Sequence, residues 1–457
     1  MAEREAPPFW RRHGAGIALA AGAGCYFVSP EPWLALAGAA VFVVGAALRP
    51  DTALQFAVAS APFYLLDKRL ATLPFSPTEF LLLGALLGWG AQAGRRLLAG
   101  GELPTLRLTA PDWPLLLFVV GALAATVAAE NLGTHVRQLR VVICEPLALY
   151  WLARHYAREE AGFFRLLGAL ALGGVAVAAY ALYQYLFTTD TILAEGIARA
   201  RGPYGSPNNL GLFLGRLVPV LACVALWGKR RLLATALLVP PALALGLTFS
   251  LGAWLATAAA MLFSAFAGGH RKLALAVGLG VALALGAGWA LDLERITSHF
   301  SPEAGTWRWR MFVWQAGWEM ARDHPLLGVG LDNFLSHYPH YMAKEAWPEP
   351  HLSHPHNLVL DFWLSTGAAG LVGGLWLVWR LWRRGLAVWR QAPTADLRAA
   401  GLGLAAGAVG LAVHGALDNS YFLPDLALVF WLSQALVTAQ QPLQRSGIIE
   451  AASATTR

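Results

Sequence analysis

Charged side chains are scarce in this chain. Asp, Glu, Lys and Arg make up 13% of the 457 positions, whereas hydrophobic residues make up 57%. A soluble domain carries roughly 25% charged residues, so this chain could not cover its own surface with polar groups. Polar residues at alternating positions are also missing from its apolar stretches, which argues against an outer-membrane β-barrel. The composition therefore predicts a protein built of membrane-spanning helices.

Cysteine is almost absent, and so are the signals of several other protein classes. The chain has three cysteines, at positions 25, 144 and 223. Their number is odd and they form no C-x-x-C pair, so neither a disulfide framework nor a zinc site is indicated. The sequence has no internal repeat and no glycine-rich phosphate loop. Its net charge of +7 needs no nucleic-acid partner, because the basic residues gather in short loops that orient membrane spans.

Long uncharged stretches recur along the chain, each close to the roughly 20 residues that a helix needs to cross about 30 Å of hydrocarbon. We therefore predict an all-α fold, a polytopic transmembrane helix bundle of about 12 to 14 spans. The first three and the sixth spans are short enough to be re-entrant or strongly tilted. The predicted spans lie near residues 14–28, 33–48, 51–66, 77–94, 113–129, 141–153, 163–187, 208–227, 232–248, 250–267, 272–291, 357–379, 399–416 and 424–440.

The basic residues predict an orientation for these spans. The side whose short loops hold more Lys and Arg is the cytoplasmic one, so both termini are predicted to be cytoplasmic in a bacterial inner membrane. Lys68, Arg69, Arg137 and Arg140 fall on the other side, against the trend. The cytoplasmic set is Arg11, Arg12, Arg95, Arg96, Arg154, Arg158, Lys229, Arg230, Arg231, Arg271, Lys272, Arg380, Arg383, Arg384 and Arg390.

Two longer segments, 188–207 and 292–355, are predicted on the extracytoplasmic side. Loops of this length are uncommon and usually carry function. We divide the chain into N-terminal transmembrane helices at 1–138, a membrane core at 139–440 that includes the extracytoplasmic loop 292–355, and a polar cytoplasmic tail at 441–457.

The first extracytoplasmic segment ends in Arg199-Ala-Arg201-Gly-Pro-Tyr-Gly-Ser-Pro-Asn208-Asn209. Its glycines and prolines predict a rigid turn, and Asn208 or Asn209 can cap the helix that follows. Two arginines beside a helix N-terminus favour an anion such as phosphate. Anchoring to lipid headgroups is the alternative role for these arginines.

The second segment carries Thr306-Trp-Arg308-Trp-Arg310-Met-Phe-Val-Trp314, followed by Asp323-His-Pro-Leu-Leu-Gly-Val-Gly-Leu-Asp-Asn-Phe334. Arg310 and Trp314 are one turn apart, so they share a helix face. Arginine on this side runs against the positive-inside bias and is therefore informative. Packing of the arginine on indole rings is the alternative role. Gly328 and Gly330 are predicted to allow a tight turn.

Three histidines precede the next span in His351-Leu-Ser-His354-Pro-His356-Asn357. A neutral imidazole at the membrane surface can accept a proton from a hydroxyl near pH 7. Capping or anchoring the span is the commoner role of such a residue. Zinc is the third option, but the spacing is unlike known zinc sites and no cysteine joins the histidines, so we expect no metal and no cofactor.

Ionisable residues inside spans cost on the order of 2.5–3.5 kcal/mol each, so they usually have partners or serve function. Arg216 is predicted either to face the same cavity as Arg199 or to reach a lipid phosphate. His414 and Asp418 are four positions apart and are predicted to pair with each other. The other polar residues in or near spans are Glu145, Asp361 and Asn419.

In combination, these motifs resemble the O-antigen ligase and O-antigen polymerase superfamily. The resemblance rests on R-A-R-G-P-Y-G-S-P-N-N-L, on T-F-S-L-G-A-W-L-A at Thr248–Ala256, and on R-x-x-x-W with H-P-L-L-G-V-G-L-D-N-F. The most specific motif is His356-Asn357, nine residues, then Gly367-Ala-Ala-Gly370-Leu. The motifs follow the family order over about residues 139–440, whereas residues 1–138 contribute hydropathy alone.

The resemblance implies a metal-independent, inverting membrane glycosyltransferase that acts on the extracytoplasmic face. Its implied partners are an undecaprenyl-diphosphate-linked glycan as donor, an acceptor glycan or glycolipid, and membrane lipids. Carried over to this sequence, His356 is the general base, and Arg199 and Arg310 bind the diphosphate. The remaining implied substrate-binding residues are Arg201, Arg216, Asn208, Asn357 and Trp314.

One departure from the family pattern concerns the S-R-G motif of many members. This chain has Leu251 between Ser250 and Gly252. The role of that arginine is therefore absent here or filled from elsewhere, with Arg216 as a candidate.

The superfamily contains ligases to lipid A core, repeat-unit polymerases and protein oligosaccharyltransferases, and their motifs overlap. The main alternative from another class is a secondary transporter or a lipid-linked glycan flippase. Transporters usually show repeated halves and broken polar helices near the midplane. This sequence has no repeat, and its polar motifs concentrate at one surface. A non-catalytic scaffold in polysaccharide assembly is the third option.

Overall fold

A computed structural model describes residues 9–70, 73–101, 112–194, 196–290, 306–344 and 351–440. The predicted tail 441–457 lies outside the described residues. The same holds for residues 292–305 and 345–350 of the predicted extracytoplasmic loop.

Helices make up nearly all of the described chain, which confirms the predicted all-α polytopic bundle. Capping residues mark several helix N-termini. At the start of the helix Pro77–Leu98, for example, the hydroxyl of Ser76 accepts the N–H of Glu79, and the carboxylate of Glu79 accepts the N–H of Ser76, which forms a capping box. The helices are α1 (Phe9–Val28), α2 (Pro32–Leu48), α3 (Pro50–Ser60), α4 (Pro77–Leu98), α5 (Trp113–Ala124), α6 (Leu132–Gln138), α7 (Glu145–Tyr156), α8 (Glu160–Phe187), α9 (Pro207–Trp227), α10 (Arg231–Leu247), α11 (Leu251–Ala267), α12 (Arg271–Ala290), α13 (Thr306–Asp323), α14 (Phe334–Tyr341), α15 (Leu358–Gln391), α16 (Ala395–Gly415) and α17 (Pro424–Ala439).

Short elements connect some of these helices. Two antiparallel hairpins pair β1 (Lys68–Leu70) with β2 (Leu73–Phe75), and β3 (Ile192–Ala194) with β4 (Ile197–Arg199). In the second hairpin Ile192 lies opposite Arg199, so the hairpin fixes the start of the first arginine motif. A π-helix at Leu139–Cys144 precedes α7, and 3₁₀ turns occupy Ala61–Phe63 and Ala125–Val127.

Four of the described helices are long and apolar enough to cross a membrane: α8, α9, α15 and α16. Six shorter apolar helices accompany them, at Gly14–Val28, Pro32–Leu48, Trp113–Val127, Arg231–Leu247, Leu251–Ala267 and Pro424–Ala439. The chain is therefore a multi-pass membrane protein, and the total of about 12 to 14 spans stays a prediction.

Helix α15 packs against both α5 and α16, while α16 also packs on α9 and α11. Small residues allow these close contacts. A Cβ atom on Gly121 would lie 2.4 Å from the backbone nitrogen of Gly370, and one on Gly385 would lie 2.8 Å from that of Ala405. Such approaches favour dispersion contacts and are typical of helix packing within membranes.

Several basic residues that were predicted to lie on the cytoplasmic side form ion pairs with buried or half-buried carboxylates. Arg154 and Arg380 both contact the carboxylate of Asp112, at 3.8 Å and 3.6 Å. At the start of α16, Asp396 pairs with Arg230 at 3.4 Å. We call the end of α15 that contains Arg380, with Asp112 and Arg154 beside it, the arginine-rich end. The histidine motif begins at the opposite end of α15.

Candidate active site

The imidazole of His356 is held by a carboxylate from a distant part of the chain. Its Nδ1 lies 2.8 Å from Oδ1 of Asp418, in the connection between α16 and α17. The same oxygen lies 3.3 Å from Nε2 of His354 and accepts the backbone N–H of Asn419 at 2.8 Å. Asp418 is 7% exposed, whereas His354 and His356 are 27% and 24% exposed. A buried carboxylate thus fixes two accessible imidazoles.

The charge of Asp418 determines which nitrogen of His356 carries the proton. Burial alone would raise the pKa of Asp418, but hydrogen bonds from His354 and His356 hold that pKa well below its usual range. An ionised carboxylate only accepts hydrogen bonds, so Nδ1 of neutral His356 carries the proton. Nε2 is left with its lone pair, and no hydrogen bond within the described chain occupies it.

The backbone at His356 is strained and held on both sides. Its φ of +48° lies in the left-handed region, which a non-glycine residue adopts at a cost of roughly 1–3 kcal/mol. The indole Nε1 of Trp314 donates to the carbonyl of His356 at 3.2 Å. On the other side Asn357 caps α15, since its Oδ1 accepts the N–H groups of Val359 and Leu360 at 3.0 and 3.2 Å.

Arg310 lies one turn before Trp314 on α13, on the face predicted from the spacing. The residue is half-buried, and its guanidinium makes no hydrogen bond or ion pair with any residue that the structure describes. Burial lowers the pKa of Arg310, while the charge of Asp418 raises it, so the two groups lie within electrostatic range. A partly desolvated cation without a protein partner is available to an anion.

A break in α15 holds α13 in place. Gly367 has a φ of +66°, and a Cβ atom there would lie 2.1 Å from the carbonyl oxygen of Leu326. The break frees the carbonyl of Leu364 to accept the N–H of Val329 at 2.7 Å, and Ala368 donates to Leu326 at 3.1 Å. The H-P-L-L-G-V-G segment after α13 therefore docks on the glycine of the histidine motif, which explains why the two motifs occur together.

Arg199 lies at the end of β4 and is buried. Its Nε donates to the carbonyl of Thr248 at 2.8 Å, and its Nη2 donates to Oδ1 of Asn208 at 2.9 Å. The structure therefore joins the first arginine motif to the T-F-S-L-G motif. The cap of α9 is Ser206, whose hydroxyl accepts the N–H of Asn208 at 3.1 Å. The predicted capping by Asn208 or Asn209 is wrong, because both residues already lie inside the helix.

Arg201 is separated from this cluster and contacts the loop itself. It pairs with Asp190 and donates to the carbonyl of Tyr204 at 3.0 Å. Both members of the ion pair are solvent-accessible, which is typical of a surface salt bridge that orders a turn.

Arg216 points into the bundle and not towards lipid. It is buried on α9 and donates to the backbone carbonyl of Ser420 and, at 2.8 Å, to its hydroxyl. Its second terminal nitrogen is buried and has no hydrogen-bond partner among the residues that the structure describes. The buried His414 lies within electrostatic range of Arg216, Arg310 and Asp418.

The predicted pair of His414 and Asp418 lies within electrostatic range, but the two side chains form no hydrogen bond with each other in the described chain. Helix α16 ends at Gly415, and the backbone N–H of Asp418 donates to the carbonyl of His414 at 3.0 Å in the turn that follows. The hydrogen bonds of its carboxylate go to His354 and His356 instead. Sequence reasoning thus missed Asp418 and His354. The run Asp418-Asn-Ser shortly after an apolar helix is a signal for Asp418, because such residues favour helix ends and turns.

The same three residues have the donor types of a metal site. The ligand atoms of His354, His356 and Asp418 all lie within 4.8 Å of one another. Two imidazoles and one carboxylate are ligands that zinc accepts.

Comparison with known proteins points to one family. No curated protein matches the chain. Residues 233–375 match the family model described as O-antigen ligase, a range that runs from α10 through the docked segment and the histidine motif into α15. This confirms the resemblance that the motifs indicated. The match supports an O-antigen ligase-like or polymerase-like membrane glycosyltransferase, and it covers the part of the chain that holds the histidine motif.

Proposed function

We propose that the protein transfers a glycan from an undecaprenyl-diphosphate donor to a sugar hydroxyl, by a metal-independent, inverting displacement on the extracytoplasmic face. The reaction is that of an O-antigen ligase or of a repeat-unit polymerase. The observation that carries the proposal is the pairing of His356 with Asp418 beside Arg310, which has no partner among the described residues. This arrangement supplies a base and an anion-binding group without a metal.

His356 is the general base in this mechanism. An acceptor hydroxyl is a poor nucleophile until its proton begins to leave, and the lone pair on Nε2 can take that proton as the oxygen attacks the anomeric carbon. Asp418 holds the ring in the required tautomer and stabilises the imidazolium that forms. The bond from the anomeric carbon to the diphosphate oxygen breaks in the same step, which inverts the configuration.

The arginines act on the leaving group. Negative charge grows on the diphosphate as it departs, and a guanidinium in a partly desolvated site stabilises that charge. Arg310 contacts the diphosphate directly in this proposal, and Arg199 does so from the α9 side. Arg216 adds positive charge behind them, and its unpartnered nitrogen supports such a role.

The remaining predicted residues shape the site in this proposal. Trp314 and Asn357 fix the backbone of His356, and Asn208 orients the guanidinium of Arg199. Arg201 binds the outer part of the donor after exchanging its contact with Asp190.

The proposal places the protein in the bacterial inner membrane with the histidine motif on the extracytoplasmic side and both termini in the cytoplasm. In a cysteine-free background, Leu193→Cys should react with an impermeant thiol reagent on intact spheroplasts, and Lys229→Cys should not. Both positions are exposed. Labelling of Lys229→Cys alone would reverse the proposed orientation.

The direct test uses the purified full-length protein with a synthetic undecaprenyl-diphosphate glycan. Lipid A core is offered as one acceptor and a second lipid-linked glycan as the other, which distinguishes a ligase from a polymerase. Transfer that persists in excess EDTA, with an inverted anomeric linkage by NMR, supports the proposal. Movement of the donor across liposomes without any transfer would support the flippase instead.

A further inference from the structure

The proposed base and the two residues beside it also have the arrangement of a three-ligand metal site. Oδ1 of Asp418 lies 2.8 Å from Nδ1 of His356 and 3.3 Å from Nε2 of His354. In a tetrahedral zinc site with bonds of about 2.0–2.1 Å, neighbouring ligand atoms lie roughly 3.3 Å apart. Of the three pairs, that of Asp418 with His354 already has this separation, and that of Asp418 with His356 needs to open by about half an ångström. The two histidine ligand atoms lie within 4.8 Å of each other.

The surroundings of the cluster fit a metal as well. The two imidazoles are partly exposed, so an ion can enter from the aqueous side. The Nδ1 of His354 lies 3.1 Å from the hydroxyl of Ser353. A zinc-bound histidine ordinarily donates its other N–H to an oxygen, and Ser353 is placed to accept it. Three protein ligands leave a fourth position for water.

We propose that His354, His356 and Asp418 bind Zn²⁺ reversibly, and that this binding switches off glycan transfer. The inhibition rests on the proposed function, because it acts on the base assigned there. Zinc is thus an inhibitor of a reaction that itself needs no metal.

The inhibition follows from the tautomer of His356. In the metal-free protein the proton lies on Nδ1, facing Asp418, and Nε2 has the lone pair. Zinc bound at Nδ1 takes that lone-pair position, so the proton of the neutral ring must lie on Nε2. That nitrogen can then donate but cannot accept the proton of the acceptor hydroxyl. The ion also occupies the carboxylate that would stabilise the imidazolium.

Zinc binding is measured first, without any substrate. The full-length protein, freed of affinity tags, is titrated with Zn²⁺ by isothermal calorimetry in detergent. We expect one ion per chain. His354→Ala should weaken binding at least about 10-fold, and the isosteric Asp418→Asn should do the same. His351→Ala is the matched control, since this exposed neighbour lies outside the cluster, and it should bind zinc like the wild type.

Glycan transfer is then measured with added Zn²⁺ and after excess EDTA, with each variant compared to its own zinc-free rate. We expect zinc to inhibit the wild type, EDTA to restore the full rate, and His354→Ala to resist inhibition at the same zinc concentration. Equal binding by His354→Ala and wild type would overturn the site, and zinc binding without inhibition would overturn the switch.

The two proposals fail in different ways. If EDTA abolishes transfer, the reaction needs a metal and the metal-free mechanism is wrong; if added Zn²⁺ then restores transfer, zinc is the cofactor and the inhibitory role is wrong as well. If the protein binds zinc through these residues but never transfers a glycan, the site stands and the proposed function falls. A thermal unfolding curve for each variant identifies any loss of binding that comes from misfolding.

Discussion

The two ends of α15 carry charge in opposite ways. At the arginine-rich end, Arg380 is 5% exposed and contacts Asp112 at 3.6 Å and the side-chain oxygen of Gln434 at 3.1 Å. At the histidine end, Arg310 makes no hydrogen bond or ion pair within the described chain, although Asp418 lies within electrostatic range. The carboxylate there is taken by His354 and His356.

This difference separates charge that supports the fold from charge that is available to a ligand. A buried cation is stable when hydrogen bonds and a counterion compensate for its lost hydration, as around Arg380. A half-buried cation without a partner lowers stability, and such a cost is tolerated where a ligand completes the site. Substitutions at the histidine end should therefore change transfer, and those at the arginine-rich end should change stability.

The largest loss of transfer is expected for His356→Ala, which removes the proposed base. General-base assistance is typically worth about 10²–10⁴-fold, so the transfer rate should fall by that factor. The variant should still fold and bind the lipid-linked donor, because the arginines are unchanged. Turnover with purified protein and donor binding by fluorescence would measure the two effects separately.

His351→Ala and His354→Ala are the controls for that change. The substitution His351→Ala should have little effect on the transfer rate, since His351 is exposed and lies outside the cluster. His354 should be milder than His356, because it shares the carboxylate but lacks the family position. A dead His354→Ala beside a near-normal His356→Ala would show that the wrong histidine was chosen.

Arg310→Ala is expected to have the next largest effect. Loss of one charged contact to a desolvated phosphate costs on the order of 2–4 kcal/mol, or about 30- to 1000-fold in rate. Arg310→Lys should restore little, because an ammonium cannot form the paired contacts of a guanidinium. Arg308→Ala is the matched control two positions earlier, where the exposed side chain lies over Phe312. If Arg310→Ala, like Arg308→Ala, keeps a rate within a few-fold of the wild type, Arg310 anchors the protein to lipid and does not bind the diphosphate.

Sequence patterns predicted the helices of this protein well. The apolar stretch 208–227 corresponds to α9 at Pro207–Trp227, and the stretch 77–94 to α4 at Pro77–Leu98. Hydropathy works here because a membrane span must satisfy its own backbone and carry apolar side chains. The break in α15 at Gly367 was not predicted, because helix continuity there depends on a tertiary contact with Leu326.

The site was predicted less completely than the fold. The pattern placed Arg310 and Trp314 on one helix face, and Trp314 does reach His356. The pattern paired the Asp418 side chain with His414, because spacing describes neighbours along a helix and not which distant side chain a carboxylate reaches. The contact between Asp418 and His356 joins residues 62 positions apart. Local periodicity carries no information about such a pair.

A third prediction concerns the charge of Asp418. Asp418→Asn keeps an oxygen that can accept from Asn419 and His356, so the geometry should survive while the negative charge is lost. Hydrogen bonds to charged groups contribute roughly 1.5–3 kcal/mol, so transfer should slow by about 10- to 100-fold. The ¹⁵N chemical shifts of the His356 ring would report the tautomer. An unchanged rate, with the tautomer also unchanged, would remove Asp418 from the mechanism.

The smallest effect on transfer is expected for Asp112→Asn, at the arginine-rich end. Asp112 is 2% exposed and lies 3.6 Å from Arg380 and 3.8 Å from Arg154, so its loss leaves two cations without their shared carboxylate. Removing one partner of a buried ion pair typically costs roughly 3–5 kcal/mol, and a large drop in thermal midpoint should follow. Transfer per folded molecule should nevertheless stay within about 2-fold of the wild type, because the substitution lies at the other end of α15. A parallel loss of transfer and stability would show that the two ends are coupled through α15, and the division between a structural and a ligand-binding end would then be wrong.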